Sequence, residues 1–351
     1  MTEQVPNTPA QIRAANAQNS GKRDRDLAES IGLTEGQLVA AFAGNDVTRL
    51  TAKLDDIFPM LNGLGEVMAL TRNISCVIEK VGQYDNYHSG AHASMVLTDE
   101  IDLRMFPSHW VHAFAIERKT DSGVKRSLQV FDAAGDAVHK IFLREGSDLD
   151  HWDKLVSALA SEDQSQTLDL EPRRPTEAPK ANPEKTEILR AEWAKMTDTH
   201  QFMRLTSKLK MNRLGAYRIA GQPLVRELTP SVISPMFEQV CDKEIEVMIF
   251  VGNRGCIEIH GGLIGTIKQM GPWFNVLDPR FNLHLRTDHI AEVWAVAKPT
   301  QRGPAVSVEA FDAEGGLIFQ IFGQRTGDTD HRPIWNELVA ALEPQPEAAL
   351  T

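Results

Sequence analysis

The sequence is poor in cysteine, and that scarcity excludes two kinds of site. Only Cys76, Cys241 and Cys256 occur, an odd number without CxxC spacing. A disulfide framework needs paired cysteines, and a structural zinc site needs closely spaced ligands, so neither is expected. The cysteine usage is typical of a reducing cytosol, and we predict a cytoplasmic location.

Long apolar runs and an excess of basic residues are also missing. No apolar stretch approaches the roughly 20 residues that cross a bilayer. Residues 1–22 contain no apolar core of signal-peptide length, and we expect them to form a disordered tail on a protein that is not membrane-embedded. The formal net charge of −11 argues against nucleic acid as a partner, because such binding gains affinity from basic surface.

The chain does contain an internal repeat. VMALTRNISCVIEK, from residue 67, aligns with VMIFVGNRGCIEIH, from residue 247, and pairs Cys76 with Cys256 at an offset of 180 (256 − 76 = 180). LQVFDAAGDAVHKIF, from residue 128, aligns with VEAFDAEGGLIFQIF, from residue 308, at the same offset. Matches at a nearly constant offset over about 90 residues predict a duplicated domain.

Each repeat begins with helical patterns, continues through alternating β-branched runs and closes on an amphipathic helix. In the first repeat, Thr34 and Gln37 have the spacing of a capping box at a helix start. The pattern predicts an α+β fold, a tandem duplication of a helix–antiparallel-sheet–helix unit. We expect two packed antiparallel sheets flanked by helices.

The repeat and the composition also predict the domain boundaries. The first repeat is expected over residues 23–160 and the second over residues 187–343. Residues 161–186 are proline-rich and charged, which is typical of a linker, and residues 344–351 are expected to be a C-terminal tail.

His200 is the histidine with the most informative surroundings. We predict one helix over residues 187–213, with Leu189, Trp193 and Met203 among the apolar residues of one face and His200 in the same stripe. Two interpretations stay open. The imidazole is either a core group tied to a backbone carbonyl, or it presents one nitrogen to a metal inside an apolar pocket.

Other motifs give weaker signals. His88 and His92 have helical ligand spacing but lie in a segment with Gly and Ser, and His109 and His112 would point to opposite faces of a strand. The segment GNRGC, from residue 252, is not part of a GxGxxG or GxxxxGK[ST] pattern. We therefore predict neither a metal site nor a phosphate site from them.

The remaining constellation combines His200 with the cations Arg213, Lys298 and Arg325. Any one of these cations, taken alone, is best interpreted as solvated surface charge. Together with a histidine they would suit a flat apolar macrocycle that carries an iron and two carboxylates, because iron takes an axial imidazole and carboxylates pair with Arg and Lys.

Several motifs of the chain resemble a known family. They include TRN…V.EK, IDLR.F, SLQVFD..G.AVHKIFL, GNRGCI.IH and GPWFNVLDPRFNLHLR. In these motifs the sequence is similar to the bacterial cytoplasmic haemin-degrading and haem-trafficking proteins of the HemS/ChuS/HmuS type, from about residue 23 to residue 343.

The resemblance implies roles for particular residues. His200 would be the proximal ligand of the haem iron, and Arg104 of the IDLR motif would lie on the distal face as the catalytic residue. The propionates would be contacted by Arg213, Lys298, Gln320 and Arg325. Where the family often has a tyrosine, this chain has Phe322, so a hydroxyl contact to a propionate would be missing.

The resemblance implies two functions. The first is oxidative degradation of haem b (iron protoporphyrin IX), as ligand and substrate, by a haem oxygenase-like oxidoreductase of iron acquisition. The chain has no flavin or nicotinamide fingerprint, so this activity would need an external electron donor. The alternative is a non-enzymatic chaperone that carries intact haem from an importer ATPase to a separate haem oxygenase. A ligand-free scaffold is disfavoured, because residues distinctive of the second repeat fall on the haem-contact positions.

Overall fold

The computed structural model describes residues 5–19, 21–327 and 329–346 and divides into two compact units. Unit 1 comprises the residues up to 72, residues 78–174 and residues 252–258. Unit 2 comprises residues 73–77, residues 175–251 and the residues from 259 onward. No helix within these described ranges is long and apolar enough to cross a membrane.

The first repeat is a mixture of helices and strands. Its helices are α1 (Pro9–Gln18), α2 (Asp24–Ser30), α3 (Glu35–Ala40), α4 (Leu54–Leu61) and α5 (Leu149–Leu159). Its strands are β1 (Val47–Leu50), β2 (Val67–Arg72), β3 (Cys76–Gly82), β4 (Tyr87–His88), β5 (Ser94–Leu97), β6 (Asp102–Met105), β7 (His112–Thr120), β8 (Gly123–Phe131) and β9 (Ala137–Leu143).

The second repeat follows the same plan. Its helices are α6 (Thr186–Ala194), α7 (Gln201–Lys208), α8 (Arg213–Ala220), α9 (Ile233–Asp242) and α10 (Arg332–Ala341). Its strands are β10 (Val225–Leu228), β11 (Val247–Gly252), β12 (Cys256–Gly262), β13 (Ile267–Met270), β14 (Trp273–Leu277), β15 (Phe281–Arg286), β16 (Glu292–Lys298), β17 (Ala305–Phe311), β18 (Leu317–Gly323), β19 (Arg325–Thr326) and β20 (Thr329–Asp330).

Strand order confirms the duplication. The first repeat runs β1-β7-β8-β9-β2-β3 and the second runs β10-β16-β17-β18-β11-β12. The register shift between Val130 and Phe131 recurs between Ala310 and Phe311, again at an offset of 180 (310 − 130 = 180). The predicted α+β class with two large antiparallel sheets flanked by helices is confirmed.

Local sequence signals explain the main helices. Thr34 forms the predicted capping box, because its hydroxyl accepts from Gln37 N (3.2 Å) and Gln37 Oε1 accepts from Thr34 N (3.0 Å). Helix α5 buries Trp152, Leu155 and Leu159, which are spaced three and four residues apart and therefore share one face. The closing helix of each repeat thus turns its apolar face inward, as the amphipathic pattern predicts.

The core of unit 2 joins helices α6, α7 and α8 to strand β16. Trp193, Phe202 and Tyr217 come from the three helices and pack in one cluster with Trp294 and Val296 of the strand. Each of these three aromatic rings lies within 6 Å of the next, with Trp193 and Phe202 centroids 4.5 Å apart. This cluster fixes the helices that carry the candidate site.

The expected disorder of the N-terminal tail is wrong for most of its described part. Residues 9–18 form helix α1, which Thr8 and Gln11 begin with a second capping box and in which Ile12 is buried. Ile12 packs with Leu27 and Leu38, so burial of an apolar side chain stabilises the helix. Residues 1–4 and 20 of the expected tail lie outside the described residues, as do residues 347–351 of the expected C-terminal tail.

The segment predicted to be a linker contains no helix or strand over residues 161–182, yet it is attached along both units. On unit 1, Gln164 Oε1 accepts from Arg49 N (2.9 Å), and the Arg173 guanidinium donates twice to the Asp136 carboxylate, at 2.6 Å each. On unit 2, Asn212 Oδ1 accepts from Lys180 N (2.9 Å). Hydrogen bonds therefore attach this segment to both units. Its charge and composition did not predict these bonds.

Candidate functional site

The segment expected to be one helix around His200 is broken into α6, α7 and α8. Asp198 Oδ1 accepts from the backbone N–H of His200 (2.7 Å), a local bond that competes with helical hydrogen bonding. His200 therefore precedes the first turn of α7. Met196, four residues before His200, is buried, but the His200 side chain is 94% exposed and Met203 is 53% exposed. The prediction of a buried stripe is wrong at these two residues, and the core-imidazole interpretation of His200 is excluded.

The His200 imidazole is held at one nitrogen. Its Nδ1 lies 2.7 Å from Asp198 Oδ1, and no bond joins its Nε2 to any part of the chain that the structure describes. The bonds from the His200 backbone and ring lower the pKa of Asp198, so the carboxylate is charged and accepts from the ring. A carboxylate that fixes one ring nitrogen and leaves the other outward is the arrangement found behind metal-ligating histidines.

Apolar surface lies on the same helical face as the histidine, and a cation from the next helix contacts it. Met203 is three residues after His200, which places the two side chains side by side at the start of α7. The Arg213 guanidinium, on the first residue of α8, donates from NH2 to Met203 Sδ (3.7 Å). The structure thus brings together His200, Met203 and Arg213 within unit 2.

Arg213 and Lys298 share one buried carboxylate, Glu309. Arg213 NH1 donates to Glu309 Oε2 (2.8 Å), and Lys298 Nζ donates to Glu309 Oε1 (2.7 Å). Tyr217 OH donates to Oε2 (2.9 Å) and Ser307 Oγ donates to Oε1 (2.9 Å), so both carboxylate oxygens are fully bonded. Buried charges are stable only when paired and hydrogen-bonded, and this group meets both conditions.

Gln320 and Phe322 lie on the same sheet face as Glu309. Gln320 pairs across the strands with Glu309, and Phe322 pairs with Ser307, so their side chains point to one side. The Phe322 ring packs edge-on against Phe250, with centroids 5.5 Å apart. Arg325 follows in β19 with an exposed side chain, opposite Asp330. His200 and Arg213 are carried by the helices, whereas the other second-repeat candidates come from one sheet face and its edge.

Arg104 belongs to unit 1, on strand β6. Its NH1 forms an ion pair with Asp102 and donates to the backbone carbonyl of Leu103 (3.0 Å). Burial raises the pKa of Asp102, and the Arg104 charge opposes that effect. The Arg104 side chain is one-third exposed, so it is not sealed in the interior.

The remaining histidines of the sequence analysis have separate surroundings. His88 Nε2 bonds to Asn86 Oδ1 (2.9 Å), and burial lowers the pKa of His112, with the Arg49 charge as a smaller cause. Within the described ranges no group of three or more His, Cys, Asp or Glu side chains is placed to hold a metal ion.

The sequence analysis missed two buried polar groups. The first is Glu309 with Tyr217. The sequence contained one indication of it, because an acidic residue stands within a strand pattern there. The second lies in unit 1, where His139 Nε2 bonds to Tyr84 OH (2.5 Å) and His139 Nδ1 bonds to Thr71 Oγ1 (2.8 Å). Burial lowers the pKa of His139 to about 3, so this imidazole is neutral and structural.

Fold and site together describe a duplicated α+β protein whose second repeat carries an exposed histidine held by a carboxylate. The model of the haemin-degrading HemS.ChuX domain matches the chain twice, over residues 32–159 and 210–342. His200 lies between the two matched ranges. The double match agrees with the duplication seen in strand order.

Full-length relatives extend the match. The hemin transport protein HmuS of Yersinia pestis is 36% identical over 329 residues, which cover 93% of this chain and 95% of that protein. Holo-PhuS, a heme-binding protein from Pseudomonas aeruginosa, is 40% identical with a TM-score of 0.91, over 97% of this chain and 100% of that chain. ChuS, an E. coli heme oxygenase, is 31% identical with a TM-score of 0.84, over 94% and 99%. The protein belongs to the HemS/ChuX family.

Proposed function

We propose that the protein binds haem b in the cytoplasm and that His200 Nε2 is the iron ligand. The observation that carries this proposal is the exposed imidazole whose Nδ1 is held by Asp198 while Nε2 faces outward. Met203 adds exposed apolar surface beside it, and Arg213 adds a cation. These groups fit an iron macrocycle with carboxylate arms, and relatives of this length are named for hemin transport and heme binding.

The proposed contacts contribute in different ways. Apolar burial against Met203 and its neighbours would supply most of the affinity, at about 25 cal/mol per Å² of apolar area. Arg213, Lys298, Gln320 and Arg325 would orient the carboxylates, since partly exposed ion pairs contribute only about 0–1 kcal/mol. Phe322 carries no hydroxyl group and would offer ring surface instead.

As the primary activity we propose oxidative degradation of haem that releases iron. Bound haem supplies the redox-active iron, and the electrons come from an external donor. Arg104 is the proposed catalytic residue, because its guanidinium is held by Asp102 and its side chain is not sealed in the interior. Asp198 holds the imidazole orientation, which keeps the Nε2 lone pair outward.

The alternative function is a chaperone that passes intact haem from an importer to a haem oxygenase. The exposure of His200 favours it, because a ligand at the surface can exchange without opening the core. The acidic net charge of −11 would suit docking to a basic partner. The same histidine serves both functions, so the ligand assignment does not distinguish them.

A haemin titration followed by absorbance tests binding. We expect a Soret band that saturates at one equivalent. The variant His200→Ala should shift that band, whereas His92→Ala, an exposed histidine of unit 1, should leave it unchanged. Asp198→Ala should weaken iron ligation by roughly 10- to 100-fold, the usual cost of losing such a partner. The absence of a Soret band would exclude both functions, and an unchanged band in His200→Ala would exclude that ligand.

Addition of ascorbate in air, with catalase present, then separates the two functions. Decay of the Soret band with iron becoming chelatable would establish degradation. A band that survives, followed by transfer of intact haem to an added haem oxygenase, would establish the chaperone. Arg104→Ala should slow the decay and leave the titration end point unchanged, if Arg104 acts on the reaction.

A further inference from the structure

Glu309 marks a difference between the two repeats. In the first repeat, Gln129 stands opposite Lys140 across strands β8 and β9. At the same register in the second repeat, Glu309 stands opposite Gln320 across β17 and β18. A neutral amide in one repeat thus corresponds to a buried carboxylate in the other, and the change falls in the repeat that carries His200.

The carboxylate is ionised although it is 0% exposed. Burial by itself raises the pKa of Glu309, but the charges of Lys298 and Arg213 outweigh burial and bring the pKa below its ordinary range. Two cations and one anion leave the group with a net charge of +1. One further carboxylate, brought by a ligand, would neutralise it.

The same carboxylate connects the cations to the histidine helix. Arg213 uses NH1 for Glu309 and directs NH2 to Met203 on α7. Lys298 Nζ lies 5.0 Å from the ring centroid of Phe202, also on α7, and donates to Tyr217 OH (2.9 Å). Glu309 therefore determines where both cationic groups stand relative to the start of α7.

We propose that Glu309 is a positioning residue that holds Arg213 and Lys298 ready for a carboxylate of the ligand. Glu309 acts through the two cations and contacts no ligand itself. This inference rests on the proposed binding of haem. Without the carboxylate, Arg213 loses its buried ion-pair partner. Lys298 loses the negative charge that keeps its ammonium group charged in the interior.

The test compares haemin with its dimethyl ester, in which both carboxylates are blocked. In Glu309→Gln, which places the first-repeat residue at this position, the affinity for haemin should fall about tenfold, the size expected for a lost charge-assisted interaction. The affinity for the dimethyl ester should stay within about twofold of wild type. Glu314→Gln makes the same chemical change at an exposed carboxylate of the same repeat; it is the matched control and should behave as wild type toward both ligands.

A second variant, Glu309→Asp, keeps the charge and should recover most of the preference for haemin over its ester, even if the fold of Glu309→Gln is weakened. Equal losses for both ligands in Glu309→Gln would mean a purely structural role and overturn the inference. No loss for either ligand would overturn it as well. If wild type fails to bind both ligands, the proposed function fails, which is a separate result.

Discussion

Glu258 is a buried carboxyl group of unit 1, and its ionisation predicts how stability depends on pH. It is 0% exposed, and within the described residues no hydrogen bond of good geometry reaches either carboxylate oxygen. The ring of His139 lies 3.9 Å away but is neutral, because burial lowers the pKa of His139 to about 3. Burial raises the pKa of Glu258 from 4.5 to about 8, while the nearby Thr71 hydroxyl and the charge of Lys80 oppose the shift.

The sign of the effect follows from the direction of that shift. Below pH 4.5 the carboxyl group is protonated in both the folded and the unfolded state, so its burial has no ionisation cost. As the pH rises from 4.5 toward 8, the unfolded state ionises first, and the free energy of unfolding falls. Each unit of difference between the folded and unfolded pKa corresponds to about 1.4 kcal/mol. The free energy of unfolding should therefore be lower by roughly 3 to 5 kcal/mol above pH 8. Glu258→Gln removes the ionisable group and should remove this loss.

Urea unfolding at about pH 5.5 and about pH 8.5 measures the prediction. The free energy of unfolding of Glu258→Gln, relative to wild type, should rise by roughly 2 to 4 kcal/mol between the two conditions. Glu145→Gln, which changes an exposed carboxyl group of the same unit, should show no such rise. A difference between variant and wild type that is equal at both pH values would refute the reasoning.

Three further substitutions have expected effects on the free energy of unfolding, each measurable by urea denaturation. Thr34→Ala removes the α3 capping box and should cost about 1 kcal/mol, whereas an unchanged midpoint would contradict the cap. Glu35→Ala leaves Lys140 buried without its partner and should cost about 3 to 5 kcal/mol; the double variant with Lys140→Met should recover part of that loss. Gly215→Ala would place a Cβ 2.0 Å from the Lys180 carbonyl oxygen and should cost about 1 to 3 kcal/mol. Gly44→Ala is the comparison, because there the new Cβ meets no neighbour and only the positive φ is strained.

Much of the fold could be predicted because its signals are local. The alternation in β2 and β11, the capping box at Thr34 and the apolar face of α5 each depend on residues close in sequence. Because the same pattern occurs twice, the architecture of one repeat could be predicted for the other. Helix α1 was missed although Thr8 and Gln11 carry the same cap signal, because polar composition dominated the interpretation of the N-terminal segment.

The candidate site was harder to predict because its contacts are long-range. The pattern around His200 has helical periodicity, yet the Asp198 side chain accepts a hydrogen bond from the His200 backbone N–H. This bond competes with helical hydrogen bonding, so the helix is interrupted there. The shared carboxylate of Arg213 and Lys298 depends on the register between β16 and β17 and on the docking of α8, none of which a single segment encodes. The residue types were therefore accessible to sequence reasoning, but their exposure and partners were not.

The attached linker has a consequence for proteolysis. Its first part is bound to unit 1 up to Arg173, and its second part is bound to unit 2 from Ala178, whose carbonyl accepts from Asn212 Nδ2 (2.8 Å). A protease needs an accessible segment that can unfold locally, so these hydrogen bonds should slow cleavage of the proline-rich stretch, although its composition alone is typical of a flexible linker. Asn212 links this protection to the candidate site, because its side chain accepts both from Lys180 N of the linker and from Gly215 N of the helix that begins with Arg213.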